Sequence, residues 1–202
     1  MIARADLVIM AKAPRLGHGK SRLAKELGAS QALRINRALH RITLRAAASG
    51  WWRVTLAVTP RTALCLALPG VWPEPRALAR IDQGQGDLGV RIAHALYGLR
   101  GPVCVVGTDL PAMAPALLQG AFKALRRASA VIGPARDGGF WLVGARKADD
   151  LIAALPGVGW STPQAGADMA ARLPGPVAFL PVLTDVDDAQ SWRAAQRRSC
   201  GT

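Results

Sequence analysis

The feature of this sequence that most constrains its fold is the alternation of short apolar runs with helical stretches. Two of the intervening stretches, residues 30–48 and LGVRIAHALYGL, have the spacing of apolar residues that predicts helices, and APALLQGAFKALRRA is similar. The apolar runs have the length and composition of strands: DLVIMA, RVTLAVT, GPVCVVGTD, SAVIGPA, GFWLVGA and PVAFLPVL. Strands that alternate with helices predict a doubly wound, mainly parallel α/β sheet with helices on both faces.

Length and composition predict a single domain over residues 1–202. Half of the residues are apolar, and no Ser/Gly-rich linker divides the chain. No apolar run has the length of a membrane span or of a signal sequence, so we expect a soluble chain without a targeting segment. Cys65, Cys104 and Cys200 lie far apart without a CxxC motif, so neither a disulfide framework nor a zinc site is indicated. A cytoplasmic location fits this use of cysteine.

The formal net charge of +13 raises the question of a nucleic-acid partner. In the predicted helix 30–48 the apolar residues repeat on one face, which predicts an amphipathic helix. Four arginines share its other face: Arg34, Arg37, Arg41 and Arg45. No aromatic residues are interleaved with these arginines, and no known nucleic-acid motif accompanies them. We therefore expect a solvated basic surface, with attraction to anionic nucleotides as the alternative, and no specific nucleic-acid partner.

In a sheet of this kind, ligands bind at the carboxyl ends of the strands. The first loop at that edge, KAPRLGHGKSRL, looks like the phosphate loop G-x-x-x-x-G-K-[ST], but Pro14 stands where the first glycine should be. Two glycines, Gly17 and Gly19, would let backbone N–H groups approach an anion. Four cations surround them: Lys12, Arg15, Lys20 and Arg22. This pattern suits a di- or triphosphate, whereas a basic surface turn is the plainer alternative.

Carboxylates stand at two further places along the chain. Asp109 follows a buried strand in GTDLP, where it either contributes to a site or caps a helix that begins near Pro115. Near the end of the chain, LTDVDDAQSW contains Asp185, Asp187 and Asp188. These are either ligands or the acidic N-cap of a terminal helix.

Two loops are dense in glycine. DQGQGDLGVR places Gly84 and Gly86 beside Asp87, and GPARDGGFWLVGA places Asp137 before two further glycines, Gly138 and Gly139. Such loops either permit a tight backbone or let a ligand touch the main chain. Glycine alone does not distinguish the two roles.

Taken together, the motifs resemble a known family. Six of them occur in order between Lys12 and Asp188: KAPRLGHGKSRL, QGQGDLGVR, GTDLP, GPARDGGFWLVGA, GWSTPQ and TDVDD. This set resembles the bacterial family DUF2064, also called radical-SAM/selenodomain-associated transferase 1. The family is GT-A-like and related to the nucleotide-diphospho-sugar transferases. Its first loop usually has K-A-P-x-P-G-x-V-K-T-R-L, from which this chain departs at Leu16, Gly19 and Ser21.

The resemblance implies a single GT-A-like domain with a donor site along the first two loops. Gly17, Gly84, Gly86 and Asp87 would belong to the nucleotide-binding loops. The phosphates of a nucleotide or nucleotide-sugar donor would be held by the loop cations, namely Lys12, Arg15, Lys20 and Arg22.

The resemblance also implies a metal and an acceptor side. Asp109 would bind Mg²⁺ or Mn²⁺ and so belong to the catalytic residues, together with Asp185 or Asp187 as second ligand. Such an ion takes oxygen ligands and neutralises charge on a phosphate leaving group. Gly138 and Gly139 would face a small-molecule acceptor, with Asp137 as the catalytic general base.

Three functions are open at this point. The family favours a glycosyltransferase that acts from a nucleotide-diphospho-sugar. Lys20 and Arg22 also resemble the loop of guanylyltransferases, which favours a nucleotidyltransferase that uses a nucleoside triphosphate. A non-catalytic nucleotide-binding protein is the third. The fold alone does not decide between them.

We predict that the protein does not bind duplex DNA sequence-specifically, because no base-reading motif accompanies its charge. The check is fluorescence anisotropy with labelled duplexes of different sequence at low and at physiological salt. Weak association that salt abolishes is expected of any basic protein. Sequence-selective binding that persists at physiological salt would contradict the prediction.

Overall fold

The computed structural model describes residues 4–199. The strands within this range are β1 Asp6–Lys12, β2 Arg53–Thr59, β3 Ala79–Asp82, β4 Val103–Val106, β5 Ala130–Pro134, β6 Phe140–Ala145 and β7 Val177–Phe179. The helices are α1 Ser21–Leu27, α2 Ala29–Ala48, α3 Leu88–Leu96, α4 Pro115–Ala124, α5 Ala148–Ala154, α6 Ala165–Arg172 and α7 Ala189–Ser199, with a short 3₁₀ helix at Arg61–Cys65.

The seven strands described form one sheet in the order β3-β2-β1-β4-β6-β5-β7. Neighbouring strands are parallel except for β6, which is antiparallel to both β4 and β5. A turn of only a few residues joins β5 to β6, and such a connection is too short for the crossover that a parallel pair requires. The predicted α/β fold with a mainly parallel sheet is confirmed.

The predicted strands all occur, although β7 is shorter than its apolar run. One strand, β3, was not predicted. Its sequence is ARID, and two charged residues in four leave no apolar run that could identify it. Its position comes from parallel pairing with β2, in which Ile81 faces Ala57.

The sheet separates two apolar cores because successive side chains of a strand point to opposite faces. In β1, Leu7 and Ile9 join the core formed with α2 and α4, whereas Val8 joins the core formed with α3, α5 and α6. All three side chains are fully buried. The helices therefore cover both faces, as in a doubly wound fold.

A third apolar cluster lies outside these two cores and joins α1 and α2 to the start of α7. Its buried members are Leu23, Ala32, Ile35, Leu39, Val186 and Ala189. Val186 is fully buried there. The cluster packs the chain just before α7 against the helix that follows the first loop, and so it brings distant parts of the sequence to one edge of the sheet.

Within residues 4–199, no helix combines the length and the apolar character needed to cross a bilayer. Cys65 is exposed and Cys104 is buried, both as free thiols. Cys200 lies outside the described residues.

His40 on α2 is a buried polar group with a defined tautomer. Trp72 Nε1 donates to His40 Nδ1 at 3.0 Å, so the proton is on Nε2, which lies 3.3 Å from Thr108 Oγ1. The residue is 1% exposed. Burial, and secondarily the charge of Lys20, lowers the pKa of His40 to about 3. Between about pH 3 and pH 6.5 the folded protein therefore holds a neutral imidazole, whereas the unfolded chain would protonate it.

We predict that His40 makes the protein less stable in mild acid. Its pKa is about 3 when folded against 6.5 for the free group, so between these values the unfolded chain binds the extra proton. The stabilisation is complete above pH 6.5 and is lost as pH falls. From neutral pH to pH 5 the loss is about 2 kcal/mol.

Urea unfolding at neutral pH and at pH 5 would check this. His40→Gln offers an oxygen to Trp72 and an N–H to Thr108 without titrating, so its stability should change less with pH. His18→Gln, at an exposed position, is the control. An unchanged pH dependence in His40→Gln would refute the assignment.

Candidate functional site

The loop between β1 and α1 turns through three residues with left-handed backbone. Gly17 has φ 75°, Gly19 has φ 73° and Lys20 has φ 51°. The first two are glycines, which adopt this conformation at no steric cost. Lys20 is not, and a non-glycine residue there costs about 1 kcal/mol. Such strain persists only where surrounding contacts hold the residue in place.

Lys20 is held by two carboxylates and a carbonyl. Its Nζ lies 2.7 Å from Asp109 Oδ1 and 2.8 Å from Asp187 Oδ1, and it donates to the carbonyl of Val186 at 2.5 Å. The side chain is 6% exposed. Burial lowers the pKa of Lys20, but the charges of Asp109 and Asp187 outweigh that effect and the net pKa is raised. Lys20 is therefore a charged ammonium in a buried position.

The two carboxylates reach Lys20 from different parts of the fold. Asp109 follows β4, and its carbonyl accepts a hydrogen bond from Val186 N at 2.9 Å. This bond ties the segment before α7 to the end of β4, so that Asp187 lies beside Asp109. Helix α4 begins at Pro115 with Ala114 as its N-cap. Asp109 is therefore not the cap of that helix.

Two cavities adjoin this group. The first, which we call the β2–β3 cavity, has a volume of about 430 Å³ and is lined in part by Lys12, Thr59, Gln83 and Arg91. The second, the β5–β6 cavity, has a volume of about 620 Å³. The two share a wall made of Lys20, Leu88, Gly107, Asp109, Phe140, Trp141 and Asp187. The ionic group thus stands at the boundary of both.

Gln83 is a buried polar residue in the lining of the β2–β3 cavity. The residue is 4% exposed. Its Nε2 donates to the carbonyls of Ala57 at 2.8 Å and Ala11 at 3.3 Å. These bonds leave the amide oxygen available to a ligand. Gln83 was not among the predicted site residues, because β3, the strand that it follows, has no apolar run by which the sequence could identify it.

The glycine-rich loop that follows Gln83 positions α3. Asp87 caps this helix, since its Oδ1 accepts from Val90 N at 2.9 Å. Arg91 Nε donates to the carbonyl of Gly86 at 2.9 Å, and Gly84 and Gly86 both have positive φ. Of this loop, Gln83 and Leu88 line the β2–β3 cavity. Gly84, Gly86 and Asp87 shape the turn that places them.

The DGG and GWSTPQ motifs form one packed unit beside the β5–β6 cavity. Asp137 Oδ1 accepts from Gly139 N at 2.9 Å, and Gly166 N donates to the carbonyl of Gly138 at 2.8 Å. A Cβ on Gly138 would lie only 1.9 Å from the carbonyl oxygen of Pro163. This glycine is required for close packing of the two loops, while Asp137 and Gly139 line the cavity.

Aromatic rings form another part of that cavity wall. The rings of Phe140 and Trp160 meet edge to face, with centroids 6.1 Å apart. Trp160 also lies against the first turn of α3, where a Cβ on Gly89 would come 2.6 Å from its indole nitrogen. Trp160 therefore joins the β5–β6 cavity to the helix that borders the other cavity.

The acidic run before α7 serves three purposes. Asp188 caps the helix, since its Oδ1 accepts from Ser191 N and from Ser191 Oγ, both at 2.7 Å. These hydrogen bonds lower the pKa of Asp188. Asp187 pairs with Lys20. Asp185 lines the β5–β6 cavity, where burial and the charges of Asp187 and Asp137 raise its pKa to about 6. The N-cap interpretation therefore holds for Asp188, whereas a ligand role of Asp185 or Asp187 stays a prediction.

The cations of the first loop are divided among cavities. Lys12 lines the β2–β3 cavity, Arg22 lines the β5–β6 cavity and Lys20 lines both. Arg15 and Gly17 instead border a third cavity of about 320 Å³, beside α1 and α2.

The carboxylate oxygens of Asp109 and Asp187 are suitable ligands for a divalent cation. Oδ1 atoms of Asp109 and Asp187 lie within 2.8 Å of one point, the Lys20 ammonium. Mg²⁺ beside phosphates commonly takes one or two protein carboxylates, with phosphate and water oxygens as the other ligands. Among residues 4–199 no group of three or more His, Cys, Asp or Glu side chains is placed to hold a metal. The residues therefore suit a metal that arrives with a phosphate ligand.

Several solved structures are similar to this one. A protein from Desulfovibrio desulfuricans G20, provisionally assigned as a nucleotide-diphospho-sugar transferase, is 27% identical with a TM-score of 0.85, and the match covers 98% of this chain and 88% of that one. The 4-diphosphocytidyl-2C-methyl-D-erythritol synthase of Anaerococcus prevotii DSM 20548 is 11% identical, with a TM-score of 0.62 and coverage of 98% and 99%. A Mycobacterium tuberculosis H37Rv protein solved in complex with manganese is 16% identical, with a TM-score of 0.58 and coverage of 98% and 100%.

The last two likenesses show the fold alone, which is of the GT-A type that the motifs predicted. A search of curated proteins gave no match. Residues 42–162 match the family described as uncharacterized proteins conserved in bacteria, DUF2064. The matched segment is more than half of the 202 residues, and the chain therefore belongs to the DUF2064 family.

Proposed function

We propose that this protein is a metal-dependent transferase that uses a nucleotide-activated donor, and specifically a glycosyltransferase that acts from a nucleotide-diphospho-sugar. The observation that carries the proposal is the group of Lys20, Asp109 and Asp187 at the wall shared by two cavities. A transferase needs a donor site and an acceptor site that meet at the reacting bond. The similar protein from Desulfovibrio desulfuricans is provisionally assigned as a nucleotide-diphospho-sugar transferase, which supports the same class of reaction.

The β2–β3 cavity is the proposed donor site. Its volume lies within the range of small-ligand sites. The Gln83 amide oxygen would accept a hydrogen bond from the nucleoside, and Lys12 and Lys20 would contact the phosphates. Gly84, Gly86 and Asp87 would contribute to donor binding indirectly, because they shape the loop that positions Gln83 and Leu88. Arg15 and Gly17 would support the first loop, and Arg22 would face the phosphates from the neighbouring cavity.

Asp109 and Asp187 are the proposed ligands of Mg²⁺ or Mn²⁺. When bound, the ion would neutralise the charge that develops on the diphosphate leaving group. A manganese complex of a protein with this fold is consistent with the assignment. Asp185 lines the acceptor side and adds negative charge beside Asp187.

The β5–β6 cavity is the proposed acceptor site. An acceptor hydroxyl would attack the sugar carbon, the bond from that carbon to the diphosphate oxygen would break, and the hydroxyl proton would pass to Asp137. The nucleoside diphosphate would leave with the bonding electrons. Because Asp109, Asp137, Asp185 and Asp187 all line the cavity, we expect an uncharged or cationic acceptor with hydroxyl groups. The rings of Phe140 and Trp160 would contact its apolar faces.

We predict that nucleotide-diphospho-sugars with Mn²⁺ raise the melting temperature more than nucleoside triphosphates do. A ligand that binds only the folded state at a hundred times its Kd stabilises that state by about 2.7 kcal/mol. A thermal-shift panel of both ligand classes, with and without Mn²⁺, measures this. A larger shift with triphosphates would favour nucleotidyl transfer, in which an acceptor attacks the α-phosphate. No shift with either class would count against the proposal.

We predict that Asp109→Asn removes the metal-dependent part of donor binding while the protein stays folded. Asn retains the size and one oxygen but not the charge that a divalent cation needs. The variant should lose stability only moderately, because Asp109 is 46% exposed and Lys20 keeps Asp187. The loss of affinity in the presence of Mn²⁺ should be at least about tenfold.

Isothermal titration of the best donor with and without Mn²⁺ would measure that loss. Asp149→Asn is the matched control, since Asp149 pairs with Arg100 at an exposed position and should bind like the wild type. If Mn²⁺ raised the donor affinity of Asp109→Asn as much as that of the wild type, Asp109 would not be a ligand of the metal.

A further inference from the structure

The ammonium of Lys20 occupies the position that a cation shared by Asp109 and Asp187 would take. Nζ lies 2.7 Å and 2.8 Å from the two Oδ1 atoms. Mg²⁺ binds oxygen at about 2.0–2.1 Å, so an ion bound to both oxygens from the side on which the ammonium lies would overlap it. The two cations cannot share that position.

We propose that Lys20 is the resident counter-ion of the Asp109–Asp187 pair, and that a divalent cation enters only when a phosphate ligand takes over the Lys20 ammonium. The ligand of the site is then a metal–nucleotide complex rather than the free metal ion. This inference rests on the proposed use of a metal and a nucleotide donor. It adds the order in which they bind and the residue that enforces it.

The hydrogen bonds of Lys20 show how firmly it holds the position. An ammonium has three N–H donors, and the structure gives the Lys20 ammonium three acceptors: Asp109 Oδ1, Asp187 Oδ1 and the Val186 carbonyl. The side chain is 6% exposed. A free metal ion would have to expel this ammonium and leave it in a buried place without a counter-charge, which is costly.

Charge balance explains why a phosphate changes the outcome. Two carboxylates and one ammonium sum to −1, so adding a divalent cation alone leaves the group at +1 around the buried ammonium. A diphosphate carries at least two negative charges and supplies a new partner for Lys20 as well as ligands for the metal. Lys20 lines both cavities, and the ammonium can therefore turn to a phosphate without leaving the site.

The first experiment measures Mn²⁺ binding without nucleotide, by the loss of the free-Mn²⁺ electron paramagnetic resonance signal. Wild type should bind weakly. Lys20→Met removes the charge and keeps an unbranched stem, and it should bind Mn²⁺ at least about tenfold more tightly because no like charge repels the ion. Lys20→Arg restores a cation and should bind as weakly as wild type. Lys123→Met is the matched control, since Lys123 is exposed on α4 and lines neither the β2–β3 nor the β5–β6 cavity.

The second experiment adds inorganic pyrophosphate, which tests the phosphate without a base or sugar. Because pyrophosphate itself binds Mn²⁺, protein-bound Mn²⁺ is measured by equilibrium dialysis against the same Mn²⁺–pyrophosphate mixture. Pyrophosphate should tighten Mn²⁺ binding to wild type by at least about tenfold and should tighten binding to Lys20→Met much less. Circular dichroism confirms that each variant is folded.

Two results would overturn the proposal: equal Mn²⁺ affinity of wild type and Lys20→Met, or equal gains with pyrophosphate. Neither titration uses a donor or an acceptor, so the result is independent of whether glycosyl transfer is observed. Failure of the donor panel with a positive Mn²⁺ result would count against the proposed reaction and not against the role of Lys20.

Discussion

The interaction on which the rest of the site depends is the pairing of the buried Lys20 ammonium with two carboxylates. A buried charge without a partner destabilises a protein strongly. Asp109 and Asp187 remove that penalty, and each remains about half exposed. Lys20 and Asp187 are 167 positions apart in the chain. The site therefore exists only when the end of the chain packs beside the first loop.

Apolar packing, and not the ion pairs, brings the end of the chain there. Val186 and Ala189 are buried against α1 and α2, next to Leu23 and Ile35. Full burial of one large apolar side chain contributes about 1.5–3 kcal/mol, whereas partly exposed ion pairs contribute about 0–1 kcal/mol. Because Asp187 directly follows Val186 and Lys20 lies three residues before Leu23, the apolar cluster places the charges. The ion pairs then select the local geometry, including the left-handed backbone of Lys20.

The separate roles of apolar packing and ion pairing explain which parts of the structure could be predicted from sequence. Strand-type runs and the loops at their carboxyl ends follow from local patterns, and so the α/β fold and the region around Asp109 could be predicted. The pairing of Lys20 with Asp187 could not, because it depends on how the last segment packs. The roles of the three aspartates depend on the residue at which α7 begins. Asp188 is the N-cap of α7 through Ser191, and this placement leaves the preceding Asp187 to pair with Lys20. Strand β3 escaped prediction because it forms by pairing with β2 and lacks an apolar run.

The glycine-rich motifs were ambiguous between ligand contact and tight packing, and the structure gives several of their glycines a packing role. Gly138 leaves room for the Pro163 carbonyl, and Gly89 leaves room for Trp160. The DGG turn, the 159–166 segment and the first turn of α3 are consequently in direct contact. Since α3 borders the β2–β3 cavity and the other two border the β5–β6 cavity, a side chain added at Gly89 would displace walls of both cavities, and one added at Gly138 would displace a wall of the β5–β6 cavity. Motifs that are far apart in sequence thus pack against one another. The shape of the β5–β6 cavity, the proposed acceptor site, therefore depends on the start of α3, which also borders the β2–β3 cavity, the proposed donor site.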